Sequence, residues 1–240
     1  MSSAGVLLFG AALFVTSGVT ACGADDTTEV SPTRVEAQST AAPVIAAAPS
    51  SPSEPSGSSG EFHMPAFGVE PTTRTPLPPN ADTCPVDAAG NVTFGAKVAD
   101  PAAPQLVVGV PAGFLPSVGD GDVAVTMPGP DGMSATVTIA VTELAPEAAF
   151  EQYSDKLTAG KEFSSVSVLP GDLCGYSGQK LMGSLGDKPG QTVEFRDRIV
   201  HIWTNTKNYL VAIRLQGPTK VAGFDAAESV LMADFGIVIP

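Results

Sequence analysis

The stretch from Gly23 to about Asn80 limits where this chain can fold. It is dominated by Ala, Ser, Thr, Pro and Glu, and includes the run Ala46-Ala47-Ala48-Pro49-Ser50-Ser51-Pro52-Ser53-Glu54-Pro55-Ser56-Gly57. Such a composition buries too little apolar surface to offset the entropy of ordering it. Residues 22–80 are therefore expected to form a disordered Ala/Ser/Pro-rich tether, partly extended and stiffened by proline. Folding is left to residues 81–240, a normal length for one domain.

The residues before the tether suggest what it is tied to. Leu13-Phe14-Val15-Thr16-Ser17-Gly18-Val19-Thr20-Ala21-Cys22 is an apolar run closing on small residues and a thiol. A secretory signal has a short apolar core followed by a small-residue cleavage site. Val19-Thr20-Ala21-Cys22 also resembles a bacterial lipobox, whose cysteine is acylated and becomes the first mature residue. On that reading residues 1–21 are a lipoprotein signal peptide and Cys22 is the lipid attachment site. The rest is then extracytoplasmic, anchored to the outer face of the cell membrane. The alternative is a plain signal peptide that happens to contain a cysteine. Met1 to Leu13 holds no Lys or Arg, unlike the basic start of most signals.

Cys84 and Cys174 are left as an even pair, and exported domains favour disulfides. A bridge between them is expected, with two separate buried thiols as the alternative. Two distant cysteines and two histidines, His63 and His201, show no metal-ligand spacing, so no metal is expected. The net charge of −13 argues against nucleic acid as a partner. No apolar run after Cys22 approaches the roughly 20 residues that cross a bilayer, so the membrane is reached through the N-terminal lipid.

Within 81–240, Asn91–Val98 and Gln105–Val110 read as short strands. Met133–Thr142 alternates, with Ala135, Val137, Ile139 and Val141 on a core face and Ser134, Thr136, Thr138 and Thr142 on a wet one. A helix follows: Pro146 suits its first turn, Glu147 lies near the positive end of its dipole, and Phe150, Tyr153 and Leu157 repeat before Gly160 stops it. Ser164–Leu169 and Gln179–Leu185 are further strands. Thr192–Thr204 and Asn208–Gln216 form a hairpin through Asn205-Thr206-Lys207, with Tyr209, Val211, Ile213 and Leu215 facing the core. A last helix, about Val221 to Ala233, aligns Phe224, Ala227 and Leu231. This order predicts an α+β fold, one antiparallel β-sheet backed by two helices.

The order and local sequence resemble the LpqN-type lipoproteins of mycobacteria and related actinobacteria, which share a PsbP-like α+β fold. The resemblance runs from Gln105 to Ile239. It rests on Val108-Gly109-Val110-Pro111-Ala112-Gly113-Phe114, on Thr136-Val137-Thr138-Ile139-Ala140-Val141 leading into the Pro146 helix, and on Gly175-Tyr176-Ser177 with Gly183-Ser184. The long hairpin and closing helix complete it. It implies a non-catalytic binding or accessory protein of the cell envelope. Some relatives are linked to trehalose glycolipids or to partner proteins, and the family has no catalytic motif to carry over.

The residues themselves offer little chemistry. His201 is the single histidine of the domain, and nucleophilic catalysis needs a nucleophile, a base and an orienting acid together. Gly175-Tyr176-Ser177-Gly178 is one residue short of a nucleophile elbow and reads better as a turn. Asp120-Gly121-Asp122 lacks the third acidic ligand and distal glutamate of a calcium loop. No catalytic residue and no cofactor is expected. One strand carries a sharper suggestion. Alternation places Phe195, Asp197, Ile199, His201 and Trp203 on one face, able to line an apolar ligand groove between sheet and helix, and Glu194, Arg196 and Arg198 on a solvated stripe. The bland reading makes Asp197 and His201 hydrogen-bonded residues at a core margin and Trp203 a space filler. The expectation is a lipid-anchored envelope lipoprotein binding an apolar, fatty-acyl or glycolipid ligand in transport or assembly. The alternative is a protein–protein adaptor at the cell surface; an envelope-acting hydrolase ranks below both.

Overall fold

A computed structural model describes residues 66–86, 92–188 and 190–240. The expected signal peptide, Cys22 and the tether as far as residue 65 lie outside the described residues. The described part is α+β. Its strands are β1 (Ala81–Cys84), β2 (Thr93–Ala96), β3 (Gln105–Gly109), β4 (Ser117–Val118), β5 (Val123–Pro128), β6 (Ser134–Thr142), β7 (Phe163–Pro170), β8 (Ser177–Gly186), β9 (Thr192–Trp203), β10 (Asn208–Pro218) and β11 (Gly236–Ile239). Helix α1 (Pro146–Thr158) follows β6, and α2 (Phe224–Leu231) precedes β11. No helix among the described residues is long and apolar enough to cross a membrane.

The expectation of one sheet needs correcting, because there are two. Seven strands run in the order β4-β5-β6-β10-β9-β8-β7 and four in the order β1-β11-β3-β2. Every pairing is antiparallel. The strands that the sequence pattern does not reveal, β1, β4, β5 and β11, are two to six residues long. In β5 the neighbours Ala124 and Val125 are both buried at a register shift, so strict alternation is broken there.

Two cores sit on opposite faces of the large sheet. On one side Val200 and Ile202 of β9, Tyr209, Val211, Ile213 and Leu215 of β10, and Ala135, Val137 and Ile139 of β6 meet Leu106, Val108, Ile237 and Ile239 of the small sheet. Phe224, Ala227 and Leu231 of α2 join them. On the other side Phe150 and Leu157 of α1 pack on Leu181, Phe195, Ile199 and Ala212. The helices thus lie on opposite faces instead of backing one. The Thr136 and Thr138 face of β6 is half-buried beside α1, where both threonines line an open pocket. Val141, expected in the core, is 47% exposed.

The same arrangement overturns the solvated stripe on β9. Arg198 is 1% exposed: Nη1 donates to the Met232 carbonyl at 2.9 Å and Nη2 to Asp234 at 2.8 Å. Arg196 is half-buried, bonded to Glu194 and Glu228 and stacked 5.3 Å from the Phe224 ring centroid. Helix α2 and the residues that follow it, Met232 to Phe235, cover the stripe.

The expected disulfide is present. Cys84 and Cys174 are bridged across a Cα separation of 5.6 Å, joining the end of β1 to the turn before β8. Ninety residues separate them in sequence, so in the chain-entropy model the bridge contributes about 4–5 kcal/mol.

Candidate functional site

The face of β9 that carries the expected groove residues has two unlike ends. Phe195, Asp197 and Ile199 lie beneath α1. The Asp197 carboxylate is fully buried and accepts two bonds from Arg214, Nε at 2.9 Å and Nη2 at 2.7 Å, plus one from the Tyr153 hydroxyl at 2.9 Å. Arg214 and Asp197 are direct cross-strand neighbours, so strand register brings them together. The guanidinium also lies 5.8 Å from the Tyr153 ring and 6.0 Å from the Phe195 ring. Burial opposes the Arg214 charge, but the bonds and field of Asp197 outweigh it and hold the group above its ordinary pKa. Burial and the Asp197 charge push the Tyr153 hydroxyl upward in the same way. Asp197 is thereby saturated within the sheet–helix layer.

Beyond the start of α1 the same face opens. His201 Nε2 lies 3.0 Å from the carbonyl of Leu144, which fixes Nε2 as the donor and leaves Nδ1 an acceptor. That Nδ1 is buried and has no hydrogen-bond partner among the described residues. Burial lowers the imidazole pKa, against the pull of the Leu144 bond, so the ring is neutral at neutral pH. Trp203, two residues on, is half-buried.

These two side chains form one wall of a half-open cleft of about 300 Å³. The opposite wall is a strap, residues 67–77, that composition assigned to the tether. Gln179 Nε2 donates to the Phe67 carbonyl at 2.8 Å, and the Gly178 amide to the Gly68 carbonyl at 2.8 Å. Ser177 Oγ accepts from the Glu70 amide and donates to the Glu70 carbonyl, both at 2.9 Å. Asn205 closes the far end through a reciprocal pair with the Leu77 backbone, both bonds 2.9 Å. Gly68 has φ 70°, and a Cβ there would overlap the Gly178 carbonyl oxygen, so the close approach requires glycine. Thr72, Thr73 and Thr75 of the strap line the cleft, and the turn at Cys174, Gly175 and Tyr176 forms its end.

The four groove candidates therefore separate. His201 and Trp203 line the cleft, whereas Phe195 and Asp197 are closed off under α1. The opening lies between sheet and strap, not between sheet and helix. Ser177 also lines the cleft, but its hydroxyl is bonded to the Glu70 backbone. Gly175-Tyr176-Ser177-Gly178 is a turn entering β8, with Cys174 at φ 52° and Gly175 at φ 82°. Asp120-Gly121-Asp122 occupies the hairpin between β4 and β5, where the Val123 amide donates to the Asp120 carbonyl. Among the described residues no group of three or more His, Cys, Asp and Glu could hold a metal ion. Sequence reasoning missed the strap, whose signals are a glycine followed by Val69 and, further on, Leu77, both packed against the cores.

No family model and no curated protein matches the chain. Among solved structures it is similar to the crystal structure of LpqN, described as involved in cell envelope biogenesis of Mycobacterium tuberculosis. Sequence identity is 16% and the TM-score 0.45, over 62% of this chain and 92% of that one.

Proposed function

We propose that this chain is a non-catalytic binding module of the cell envelope, lipid-anchored through Cys22 and extracytoplasmic. In this reading its cleft takes part of a glycolipid or fatty-acyl ligand during transport or assembly. The observation that carries the reading is the lining of the cleft: an indole, a row of threonines and the ring of His201, whose buried Nδ1 has no partner among the described residues. An aromatic wall with a few convergent polar groups is how small ligands are held and oriented. A volume of about 300 Å³ is at the small end for ligand pockets, enough for one sugar ring or one chain end, not a whole lipid. The rest of the molecule would remain outside, consistent with a module that handles a ligand without engulfing it.

Trp203 is the single tryptophan, so its emission reports directly on the cleft. Titration with a soluble alkyl glycoside should shift that emission saturably, and His201→Phe should weaken the response. Unchanged emission under a glycolipid shown by another method to bind would overturn the assignment. Native mass spectrometry of the protein purified from its own host tests whether a lipid travels with it. The adaptor reading is favoured by a different region, the free edge of β7.

A further inference from the structure

The large sheet ends on β7, whose outer edge has no strand partner among the described residues. The other terminal strands are short: two residues in β4, four each in β1 and β2. β7 is eight residues long and pairs with β8 in unbroken register from Phe163 to Pro170. Its sequence, Phe163-Ser164-Ser165-Val166-Ser167-Val168-Leu169-Pro170, carries no charge. Edges of this length are ordinarily guarded by charged side chains, bulges or a covering element, and here only Pro170 at one end does so. The Gly171 amide donates to the Gly178 carbonyl at 3.0 Å. Antiparallel alternation then turns Ser165 and Ser167 toward β8 and leaves the amides and carbonyls of Ser164, Val166 and Val168 facing outward.

A groove of about 620 Å³ runs beside this edge, between β7 and α1. Ser164, Ser165 and Val166 line one side, and Glu151, Ser154 and Asp155 the other. Asp155 is exposed and Glu151 half-buried, so the helix wall is acidic. We propose that the groove docks an extended, basic segment of a partner protein, which adds to β7 as a further antiparallel strand. Its backbone bonds the outward groups of Ser164, Val166 and Val168, and a Lys or Arg sits against Asp155. Strand addition supplies affinity through the main chain, and the acidic wall selects the side chain. A second copy of this chain fits poorly: its own β7 offers no cation, and two chains of net charge −13 repel. The groove shares no lining residue with the Trp203 cleft, so the inference is independent of the ligand proposed there.

The test uses the full chain and soluble peptides of alternating Thr and Val: one with a central Lys, one with Glu instead, and one methylated on alternate backbone nitrogens. The Lys peptide should protect the amides of Ser164, Val166 and Val168 from hydrogen exchange. It should bind about fivefold more tightly than the Glu peptide, the range for an exposed ion pair. The methylated peptide should not bind. Asp155→Lys, on an exposed helical position that leaves the core intact, should reverse the preference between Lys and Glu. Absence of protection on β7, equal binding of the two peptides, or protection confined to the Trp203 cleft each overturns the proposal. Protection without any peptide, together with a dimer in sedimentation, assigns the edge to a second copy and also overturns it.

Discussion

The two ends of the β9 face share one strand and one alternation, yet they do opposite things. At Asp197 both carboxylate oxygens are engaged by Arg214 and Tyr153 beneath α1. At His201 and Trp203, further along the same strand, a buried nitrogen has no partner among the described residues and an indole borders an opening. Polar groups in a core are tolerated when mutually satisfied, and an unsatisfied one costs free energy that a ligand can recover. The difference teaches that a shared face is not a shared site. The boundary is the N-terminus of α1, where the helix stops covering the sheet.

Replacing both Cys84 and Cys174 by Ser should cost about 4 kcal/mol in urea denaturation. It should also blunt the Trp203 response, because the bridge forms the end of the cleft, while the Asp197 end stays folded. Asp197→Ala should cost about 3 kcal/mol by leaving Arg214 charged and unpaired in a largely buried setting. Adding Arg214→Met should recover much of that loss, and neither change should move Trp203 emission. Coupled movement would show that the two ends are one unit.

Gly68→Ala should detach the strap, at a cost of at least about 1 kcal/mol, since positive φ alone costs that much and the Cβ also overlaps the Gly178 carbonyl oxygen. Hydrogen exchange at the Glu70 amide, now held by Ser177, is the readout. The smallest effect is on pH dependence. His201 is held below its ordinary value of 6.5, so below that pH the unfolded chain takes up a proton that the folded chain resists. Stability should therefore fall as pH drops through 6.5, and His201→Gln should remove that part of the decline. Asp100 acts in a separate window. Hydrogen bonds from Lys207, the Ala102 amide and Tyr209 lower its pKa from 3.8 to about 2, so its contribution is present above pH 3.8 and lost toward pH 2. Acid titration of His201→Gln should leave this lower limb unchanged.

Particular residues show why some of this was legible and some was not. Tyr209, Val211, Ile213 and Leu215 read as a core face and are all buried, because strand alternation is local. The Cys84–Cys174 bridge was legible from parity and compartment. Arg198 was not, because the groups that bury and bond it, Met232, Asp234 and Phe235, lie more than thirty residues further along the chain. The strap escaped notice because Val69 and Leu77 are isolated among Thr and Pro, and composition averages them away. The β7 edge was visible as a strand, but its outermost place in the sheet depends on the whole strand order.

The amino-acid sequence by itself determined the α+β class, the long strands and α1, the cysteine pair and the sharing of one face by Phe195, Asp197, His201 and Trp203. Those follow from periodicity, capping and thiol chemistry, which act over neighbouring residues. Only the tertiary contacts set the segment after α2 over Arg198, closed Asp197 away under α1 while the strap makes a cleft at Trp203, and left β7 without a strand partner among the described residues. Those outcomes depend on which surfaces meet, and contacts between segments far apart in the chain leave no local pattern in it.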